Sequence, residues 1–561
     1  MTYDLIIRNG TIVDGTGFPG YRADVGVHQG RIATIGRIAA RGVEEIDASG
    51  QVVSPGFIDG HTHMDAQVMW DPMGTCSCWH GVTTVVMGNC GFTLAPVKAD
   101  QRPLVVRNLE RAEDISATAM AAGIEWQWES FPEYLDVVDR RPKGINYAAY
   151  IGHSALRTWA MGERAFDGPS TPDDIGRMSG ALREALQAGA IGFTTSRSSA
   201  HQTTDNRPVA SRLAAWEEVE HLVGVMGDAG AGIFEIAQDA SDRWIKTRSR
   251  VVDMALKTRV PCTFGVLARP ETYHDDLRLI DSVTEAGGQM FGQTFCRGAT
   301  SLISFATRLP FDELPHWREL RARPLAEQAA LLRDPDLRRR LIGATEEAQY
   351  REATGPEMRK PVYDQTWILD RPYPPYPTVA EVAAARNVHP IEAMIDIALE
   401  AELDRFFAQA LGATDLDHIL EAMRHPRTIM TFSDSGAHVS QINDFSLHSY
   451  FLGYWVRTRG AFTLPEAVRM ITLAPARAWG FANRGLLREG LVADINVFDP
   501  DRIGPGMPHA LRDLPGGAMR LVQKADGIRA TVVAGTVVLR EGEHTGRFPG
   551  RLLRGPLAAR Q

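Results

Sequence analysis

The stretch FIDGHTHMDAQVMW, which begins at Phe57, contains two histidines, His61 and His63, at the end of an apolar run. Successive side chains of a β-strand point to opposite faces, so residues two apart project to the same side. Two imidazoles aimed at one point indicate a metal site, because imidazole is a common ligand of divalent metals. The alternative is a pair of solvated or hydrogen-bonded loop histidines, and the pair alone does not decide between them.

Two further residues at the ends of apolar runs have side chains that suit metal binding or acid–base chemistry. Cys90, in MGNCGF, is a candidate thiolate ligand beside the histidines, or else a buried thiol that packs as a small hydrophobe. Asp434, in FSDSGAH, is a candidate metal ligand and general base, or else a turn or helix N-cap residue.

A second group of residues follows other predicted strands and could bind or orient a substrate: His153, Ser196, Arg197, His201 and Arg297. An arginine in such a place can hold a carboxylate through two parallel hydrogen bonds. The alternative for each is a structural role, as an exposed loop charge or as a histidine bonded to a neighbouring loop. His438, four residues after Asp434, is a candidate for holding a metal ligand in position.

The middle of the chain alternates apolar strands with helical patterns such as DDIGRMSGALREALQAG, which end on glycine. This alternation predicts a parallel sheet that is buried on both faces. Eight apolar runs fit the number of strands in a closed (β/α)8 barrel, a TIM-like barrel of the α/β class. In such a barrel the catalytic groups lie at the carboxyl-terminal ends of the strands, where His61, Cys90 and Asp434 are found.

Both ends of the chain have the pattern of antiparallel hairpins, with Asn-Gly, Asp-Gly and Gln-Gly turns between short apolar runs. We therefore predict a small β-sandwich assembled from residues 1–54 and 484–561. Residues 55–483 would form the catalytic domain. Within it, residues from about 299 to 390 contain polar helix and much proline but no clear strand, which predicts an insertion that covers the site.

The composition excludes several functional classes. Of the 561 residues, 44% are hydrophobic and 23% are charged, which excludes disordered, collagen-like and coiled-coil chains. A net charge of -9 without a long basic run predicts neither a nucleic-acid nor a membrane partner. The N-terminus lacks the pattern of a signal peptide and no stretch could span a bilayer, so we expect a cytoplasmic protein with reduced cysteines and a small-molecule substrate.

Several motifs also carry a family resemblance that covers nearly the whole chain: PGFIDGHTHMDAQ, HGVTTVVMGNCG, GHSALR, SLHSYFLGYW and the stretch from LPEAVRM to ADINVFDP. The sequence resembles the amidohydrolase superfamily and, within it, the branch of D-aminoacylase-like N-acyl-D-amino-acid deacylases. The resemblance implies a zinc-dependent hydrolase of an amide or related C–N bond. It places the family's histidine pair on His61 and His63, its metal-binding cysteine on Cys90 and its catalytic aspartate on Asp434. Homo-oligomers are common in the family, which suggests one here.

The sequence departs from the family pattern at two strands. The family supplies a metal-binding histidine from each of the fifth and sixth strands, but here these strands read GIFEIAQDA and VPCTFGVLA. The fourth strand also lacks the lysine that some superfamily members carbamylate. We therefore expect one divalent ion, Zn²⁺, rather than two. Glu235 and Gln238 are candidate replacements on the fifth strand, and Glu235 is either a ligand or a paired structural carboxylate.

The resulting functional hypothesis is hydrolysis of the amide bond of an N-acyl (D-)amino acid or a similar N-acylated small molecule. Metal-activated water would attack the carbonyl, and Asp434 would act as general base. One alternative is a cyclic amide, ester or lactone hydrolase of the same superfamily, because the same centre serves any of these carbonyls. Another is a non-catalytic barrel with a degraded metal site.

Overall fold

A computed structural model describes residues 2–239, 242–350, 358–442 and 444–558. The N-terminal part has five strands: β1 (Tyr3–Ile12), β2 (Tyr21–His28), β3 (Arg31–Gly36), β4 (Gly42–Asp47) and β5 (Val52–Pro55). β2 pairs antiparallel with β1 and β3, whereas β4 and β5 run parallel to β1. Gln29 and Gly30 take positive φ angles of 50° and 75° and form the predicted tight turn between β2 and β3.

The Asn-Gly pattern predicts a hairpin turn at Asn9 and Gly10, but both residues lie inside β1. The register with β2 shifts between Ile7 and Gly10, which marks a β-bulge. Asn9 has a positive φ of 60°, which asparagine tolerates better than most residues. The dipeptide that favours a turn therefore also suits a bulge.

The middle of the chain contributes parallel strands that alternate with helices. The strands are β6 (Phe57–Asp59), β7 (His61–Thr62), β8 (Val82–Met87), β9 (Asn146–Ala149), β10 (Ile151–Gly152), β11 (Gly192–Ser196), β12 (Ile233–Ala237), β13 (Cys262–Gly265) and β14 (Met290–Thr294). The helices are α1 (Arg102–Leu109), α2 (Ala117–Gly123), α3 (Phe131–Arg140), α4 (His153–Met161), α5 (Pro172–Ala188), α6 (Trp216–Ala229), α7 (Asp242–Thr258) and α8 (Tyr273–Glu285). β6 pairs in parallel with β8, β8 pairs with β9, and β10 to β14 pair in order.

The helices α5 and α6 occupy two segments that apolar periodicity predicts as helical. The Thr171 side chain and the Asp174 carboxylate each accept a hydrogen bond from the other residue's backbone N–H, a capping box that begins α5. Gly189 and Gly230 end α5 and α6 in the left-handed conformation. Among the helices of the described residues, none is long and apolar enough to cross a membrane.

Between β14 and the next parallel strand the chain forms an insertion with its own sheet. Its elements are β15 (Thr300–Ile303), α9 (Trp317–Arg321), α10 (Leu325–Leu331), α11 (Pro335–Glu346), β16 (Thr366–Ile368), α12 (Val379–Arg386), α13 (Pro390–Glu400) and β17 (Phe407–Ala410). β17 lies between β15 and β16 in an antiparallel sheet, so strands on both sides of residue 390 belong to this sheet. These strands have only three or four residues, too few for a recognisable alternation. Residues 351–357 lie outside the described residues.

After the insertion, two short strands pair with the parallel strands of the middle part. The elements are α14 (Leu416–Arg424), β18 (Thr428–Met430), β19 (Phe432–Ser435), α15 (Leu447–Tyr450), α16 (Leu464–Ile471) and α17 (Leu473–Ala478). β18 pairs in parallel with β14, and β19 pairs in parallel with β7. Single residues separate β6 from β7, β9 from β10 and β18 from β19. The parallel pairing therefore runs through eight segments in chain order and returns from the last to the first.

The C-terminal part adds strands to the N-terminal sheet. Its strands are β20 (Ile495–Phe498), β21 (Gly504–Pro505), β22 (His509–Leu511), β23 (Arg520–Val522), β24 (Ala525–Asp526), β25 (Ile528–Val533), β26 (Thr536–Arg540) and β27 (Glu543–His544). β20 pairs antiparallel with both β5 and β25. Strands from both ends of the chain therefore share one nine-stranded sheet.

Val497 tests the contact between the two chain ends, because it lies in β20 and is fully buried. We expect Val497→Ala to lower the free energy of unfolding by about 2 kcal/mol, since buried methyl groups are lost and a cavity remains. Val43 is 80% exposed and gives the matched control, Val43→Ala, which should change stability by less than about 0.5 kcal/mol. Urea unfolding compares the two variants, and equal shifts would contradict the shared core.

Candidate metal centre

The carboxyl-terminal ends of the parallel strands surround a small cavity of about 100 Å³. Its lining consists of His61, His63, Cys90, Glu113, Ser198, His201, Glu235, Ala237, Gln238, Gly265, Leu267, Phe432, Asp434 and His438. All of the predicted metal ligands are in this lining. The structure therefore brings together residues from β7, β12, β19 and the loop after β8.

His61, His63 and Asp434 meet because β7 and β19 are neighbours. Asp434 Oδ1 lies 3.3 Å from His61 Nε2 and 3.5 Å from His63 Nε2. His61 Nδ1 lies 2.5 Å from the amide oxygen Oε1 of Gln293 in β14. A proton on Nδ1 would be donated to that oxygen, which leaves the Nε2 lone pair of His61 for a cation.

Cys90 is positioned by the loop that follows β8. Its backbone has a positive φ of 56°, which is rare for a residue with a side chain and persists only where surrounding contacts enforce it. Three backbone N–H groups of the loop donate at 2.8–3.0 Å to side chains of other segments: Asp65, Thr194 and Glu235. As a result Cys90 Sγ lies 3.4 Å from His61 Nε2.

Three distances between these donor atoms fit those between neighbouring ligands of one metal ion, and the donor atoms of His61, His63 and Cys90 all lie within 4.8 Å of one another. Zn–N and Zn–O bonds of about 2.0–2.1 Å put neighbouring donor atoms roughly 3.3–3.4 Å apart, and a sulfur donor lies slightly further away. The separations of 3.3, 3.4 and 3.5 Å among His61, His63, Cys90 and Asp434 match this spacing. They exceed the length of a charge-assisted hydrogen bond, about 2.7–2.9 Å. Imidazole, thiolate and carboxylate are donors that zinc-like divalent cations prefer, so the set fits one such cation.

Burial and neighbouring charges shift the ionisation of these groups. Burial lowers the pKa of His61 to about 4. Burial also opposes the charge on His63, but the carboxylates of Glu113 and Asp434 outweigh it and raise the pKa of His63 to about 9. Burial raises the pKa of the Cys90 thiol well above its usual range. A bound cation would displace the protons of His63 and Cys90, because it binds neutral imidazole and thiolate.

Glu235, the additional predicted ligand, lies in β12 and is fully buried. Burial raises the pKa of its carboxyl group to about 8. Oε2 accepts the backbone N–H of Cys90 at 2.8 Å, while Oε1 has no hydrogen-bond partner among the described residues. Gln238 is engaged elsewhere, since its Nε2 donates to the Gly265 carbonyl at 2.7 Å. In this structure Glu235 anchors the Cys90 loop from the cavity wall.

Glu113 is an acidic residue of the cavity that the sequence did not indicate. It lies between α1 and α2 in the stretch RAEDIS, whose charges are typical of a solvated loop, yet its side chain is only 1% exposed. Its carboxylate is 3.5 Å from His63 Nε2, 3.8 Å from His438 Nε2 and 4.0 Å from His201 Nε2. The backbone N–H of His438 also donates to the Glu113 carbonyl at 2.5 Å. This burial comes from tertiary packing, for which the local sequence has no signal.

The predicted substrate-binding residues of the fourth strand take different positions. His201 lines the cavity, and its Nδ1 lies 2.6 Å from Ser196 Oγ. Arg197 does not line the cavity, because its guanidinium donates to the Ala214 carbonyl at 2.7 Å and stacks on the Trp216 ring at 4.8 Å. This position does not support the expected carboxylate clamp for Arg197.

His153 belongs to a buried network and is not among the residues that line the cavity. Its Nδ1 lies 2.8 Å from Thr195 Oγ1 and its Nε2 lies 2.7 Å from Glu218 Oε1. Arg157 donates to the same carboxylate at 2.5 Å. Both ring nitrogens of His153 are occupied, so the residue is structural here.

Arg297 lies at a second cavity, of about 260 Å³, where the insertion contributes Trp367 and Tyr376. Its guanidinium donates to Ser446 Oγ at 2.8 Å and lies 3.6 Å from Asp444. The Arg297 guanidinium thus lines a cavity to which the insertion contributes, and it is not among the residues that line the cavity of the candidate metal centre.

Comparison with known proteins identifies the family. A model of the amidohydrolase family matches residues 44–539. The chain belongs to the amidohydrolase family. This confirms the resemblance seen in the sequence motifs and makes the protein an amidohydrolase, with the residues above as its candidate site for a divalent metal.

Curated relatives of this amidohydrolase cover almost its whole length. It is 28% identical to a D-aminoacylase from Alcaligenes xylosoxydans xylosoxydans, over 98% of this chain and 97% of that protein. It is 29% identical to an N-acyl-D-glutamate deacylase from the same organism, over 98% of this chain and 96% of that protein. Its structure is similar to that of N-acyl-D-glutamate deacylase from Bordetella bronchiseptica in complex with zinc and a phosphonate inhibitor, with a TM-score of 0.64 and 27% identity over 99% of this chain and 100% of that chain.

The structural role of the His153 network in this amidohydrolase can be tested at Glu218. We expect Glu218→Ala to destabilise the fold by about 3–5 kcal/mol, because Arg157 and His153 lose their buried partner. The adjacent Glu217, with 75% of its side chain exposed, provides the control Glu217→Ala, which should have almost no effect. Thermal and urea unfolding of the two variants measure this difference; similar stability would contradict the structural assignment.

Proposed function

We propose that this amidohydrolase cleaves the amide bond of an N-acyl D-amino acid or a similar N-acylated small molecule. The observation that carries the proposal is the convergence of His61, His63, Cys90 and Asp434 on one cavity, with three of their donor-atom separations at 3.3–3.5 Å. Because a fold does not fix a substrate, the substrate class is supported by the deacylase relatives, whose names specify N-acyl-D-amino acids.

The proposed architecture is a closed (β/α)8 barrel. Its support is the parallel pairing of eight segments in chain order, with β19 paired back to β7. The proposed catalytic domain comprises residues 55–483 with an insertion from about residue 299. Residues 1–54 and 484–561 would form the β-sandwich domain, which is supported by the sheet that both chain ends share.

We assign the site one catalytic ion, Zn²⁺. Such an ion, when bound, polarises a substrate carbonyl and lowers the pKa of water. His61 Nε2, His63 Nε2, Cys90 Sγ and Asp434 Oδ1 would hold it. The sulfur donor favours Zn²⁺ over Mg²⁺ or Ca²⁺, which prefer oxygen ligands.

Asp434 is the proposed general base. Its side chain is 21% exposed, whereas those of His61 and His63 are 0% and 2% exposed, so it is the member of the set that can also contact a substrate. The imidazoles of His63 and His61 outweigh its desolvation and hold the pKa of Asp434 well below its usual range, which keeps it ionised. In the proposed reaction the Asp434 carboxylate accepts a proton from the attacking water and passes it to the leaving nitrogen.

We propose that His201, Ser196 and Arg297 bind or orient the substrate. His201 lines the cavity of the candidate metal centre, and Ser196 Oγ is hydrogen-bonded to its imidazole ring. Arg297 lines the larger second cavity, where aromatic side chains such as Trp367 and Tyr376 suit an apolar part of a small molecule.

The activity is tested on N-acetyl D-amino acids and their L-enantiomers with purified, zinc-loaded protein. We expect hydrolysis of the D series, and a loss of more than about 100-fold in His61→Ala, since even the hydrogen-bonding partners of metal ligands are worth about 10–100-fold. His28→Ala, at a partly exposed histidine outside the cavity, is the control. Circular dichroism confirms that each variant is folded.

Unchanged turnover in His61→Ala would refute the proposed catalytic set. If wild-type protein instead hydrolyses only cyclic amides, esters or lactones, the amide substrate assignment is wrong although the metal-dependent chemistry stands. If it hydrolyses none of these, the non-catalytic alternative is favoured.

A further inference from the structure

Cys90 also belongs to a second group of possible metal ligands, although the fifth and sixth strands of this chain lack the family's histidines. Cys90 Sγ, a carboxylate oxygen of Glu113 and an imidazole nitrogen of His201 all lie within 4.8 Å of one another. Glu113 comes from the chain between α1 and α2, and His201 from the loop after β11. These two segments are not the ones from which the family takes its metal-binding histidines.

We propose that Cys90, Glu113 and His201 form a second divalent-cation position in this protein, separate from the catalytic ion. The inference deepens the proposed function and rests on it for the first ion, because both positions would share the Cys90 sulfur. Only one ion is assigned to catalysis, but the expected metal content is then about two ions per chain.

Glu113 provides the first argument. A carboxylate that is 1% exposed needs a compensating charge or a full set of hydrogen bonds. Its ion-pair partners among the described residues are all histidines, at 3.5 Å or more, and the nearest of them, His63, becomes neutral when it binds the first ion. Its Oε1 atom is buried and has no hydrogen-bond partner in the described part of the chain. A cation beside this oxygen would satisfy it.

His201 provides an independent argument. Its Nδ1 is 2.6 Å from Ser196 Oγ, which also accepts the backbone N–H of Ser198 at 3.2 Å. If Nδ1 donates to Ser196, the lone pair on His201 Nε2 and the Glu113 oxygen are two acceptors 4.0 Å apart. If Nδ1 accepts, the proton on Nε2 is too far from Glu113 for a hydrogen bond. In either case the His201–Glu113 pair has an unsatisfied polar atom that a bound cation would satisfy. Metal-binding histidines are usually held in place by a hydrogen bond through their other ring nitrogen.

The donor types define the class of cation. One sulfur, one nitrogen and one oxygen donor suit Zn²⁺ or Co²⁺ rather than Mg²⁺ or Ca²⁺. Three protein ligands leave the fourth tetrahedral position open to a small molecule. The two donor sets differ in every residue except Cys90, so they can be emptied separately by substitution.

The test is the cobalt content of metal-stripped protein after dialysis against Co²⁺ alone. We expect about two ions in wild type, and about one in Glu113→Gln, in His201→Asn and in His61→Ala, because each substitution removes a ligand of a single position. Absorption from sulfur-to-cobalt charge transfer should persist in all three variants, since Cys90 remains. Glu110→Gln, in the segment just before Glu113, and His274→Asn, at a half-exposed histidine, are controls that should keep the wild-type content.

The outcomes separate this inference from the proposed function. One ion in wild type that is lost in His61→Ala but kept in Glu113→Gln and His201→Asn would overturn the second position alone. One ion that is lost in His201→Asn but kept in His61→Ala would support this position and contradict the proposed catalytic set. A folded wild type without cobalt would contradict both. Circular dichroism checks folding, and His201 is 13% exposed, so its variant serves if Glu113→Gln does not fold.

Discussion

The parallel pairing of β19 with β7 is the constraint on which the site depends. It sets Phe432 opposite His61 and brings Asp434 within 3.5 Å of both histidines of the motif. Side-chain hydrogen bonds reinforce it, because Ser433 donates to the Asp59 carboxylate beside β7. Asp434 lies where the register of this pair shifts between Phe432 and Ser435, and its positive φ of 52° belongs to this irregularity. The pairing of β19 with β7 and the formation of the donor set are therefore linked.

The surroundings of the cavity hold several carboxyl groups in an environment that disfavours charge. Burial raises the pKa of Asp59 to about 8, that of Asp65 to about 7 and that of Glu235 to about 8. Such a concentration of buried acids is costly unless protons or cations compensate it. Two of these acids hold the Cys90 loop in place, since Asp65 and Glu235 accept hydrogen bonds from its backbone N–H groups. The same low dielectric strengthens the attraction between a divalent cation and its ligands.

The sequence could predict the ligands that stand at strand ends, because apolar runs mark those ends and the His61, Cys90 and Asp434 motifs follow them directly. It could not predict Glu113, which lies in a charged loop and is buried only by tertiary packing. It also could not predict the buried network of His153, since its partner Glu218 is on α6, far along the chain. The parallel strands were predictable because their apolar runs alternate with helical patterns, whereas the short strands of the insertion have no such repeating context.

Cys90 is the most specific ligand in the proposed centre, because sulfur distinguishes this set from an oxygen and nitrogen site for other cations. X-ray absorption spectroscopy at the zinc edge, on zinc-loaded wild type and Cys90→Ser, tests it most directly. We predict a sulfur neighbour at about 2.3 Å from zinc in wild type and none in the variant. Zinc bound to wild type through nitrogen and oxygen alone would contradict a metal centre built on Cys90.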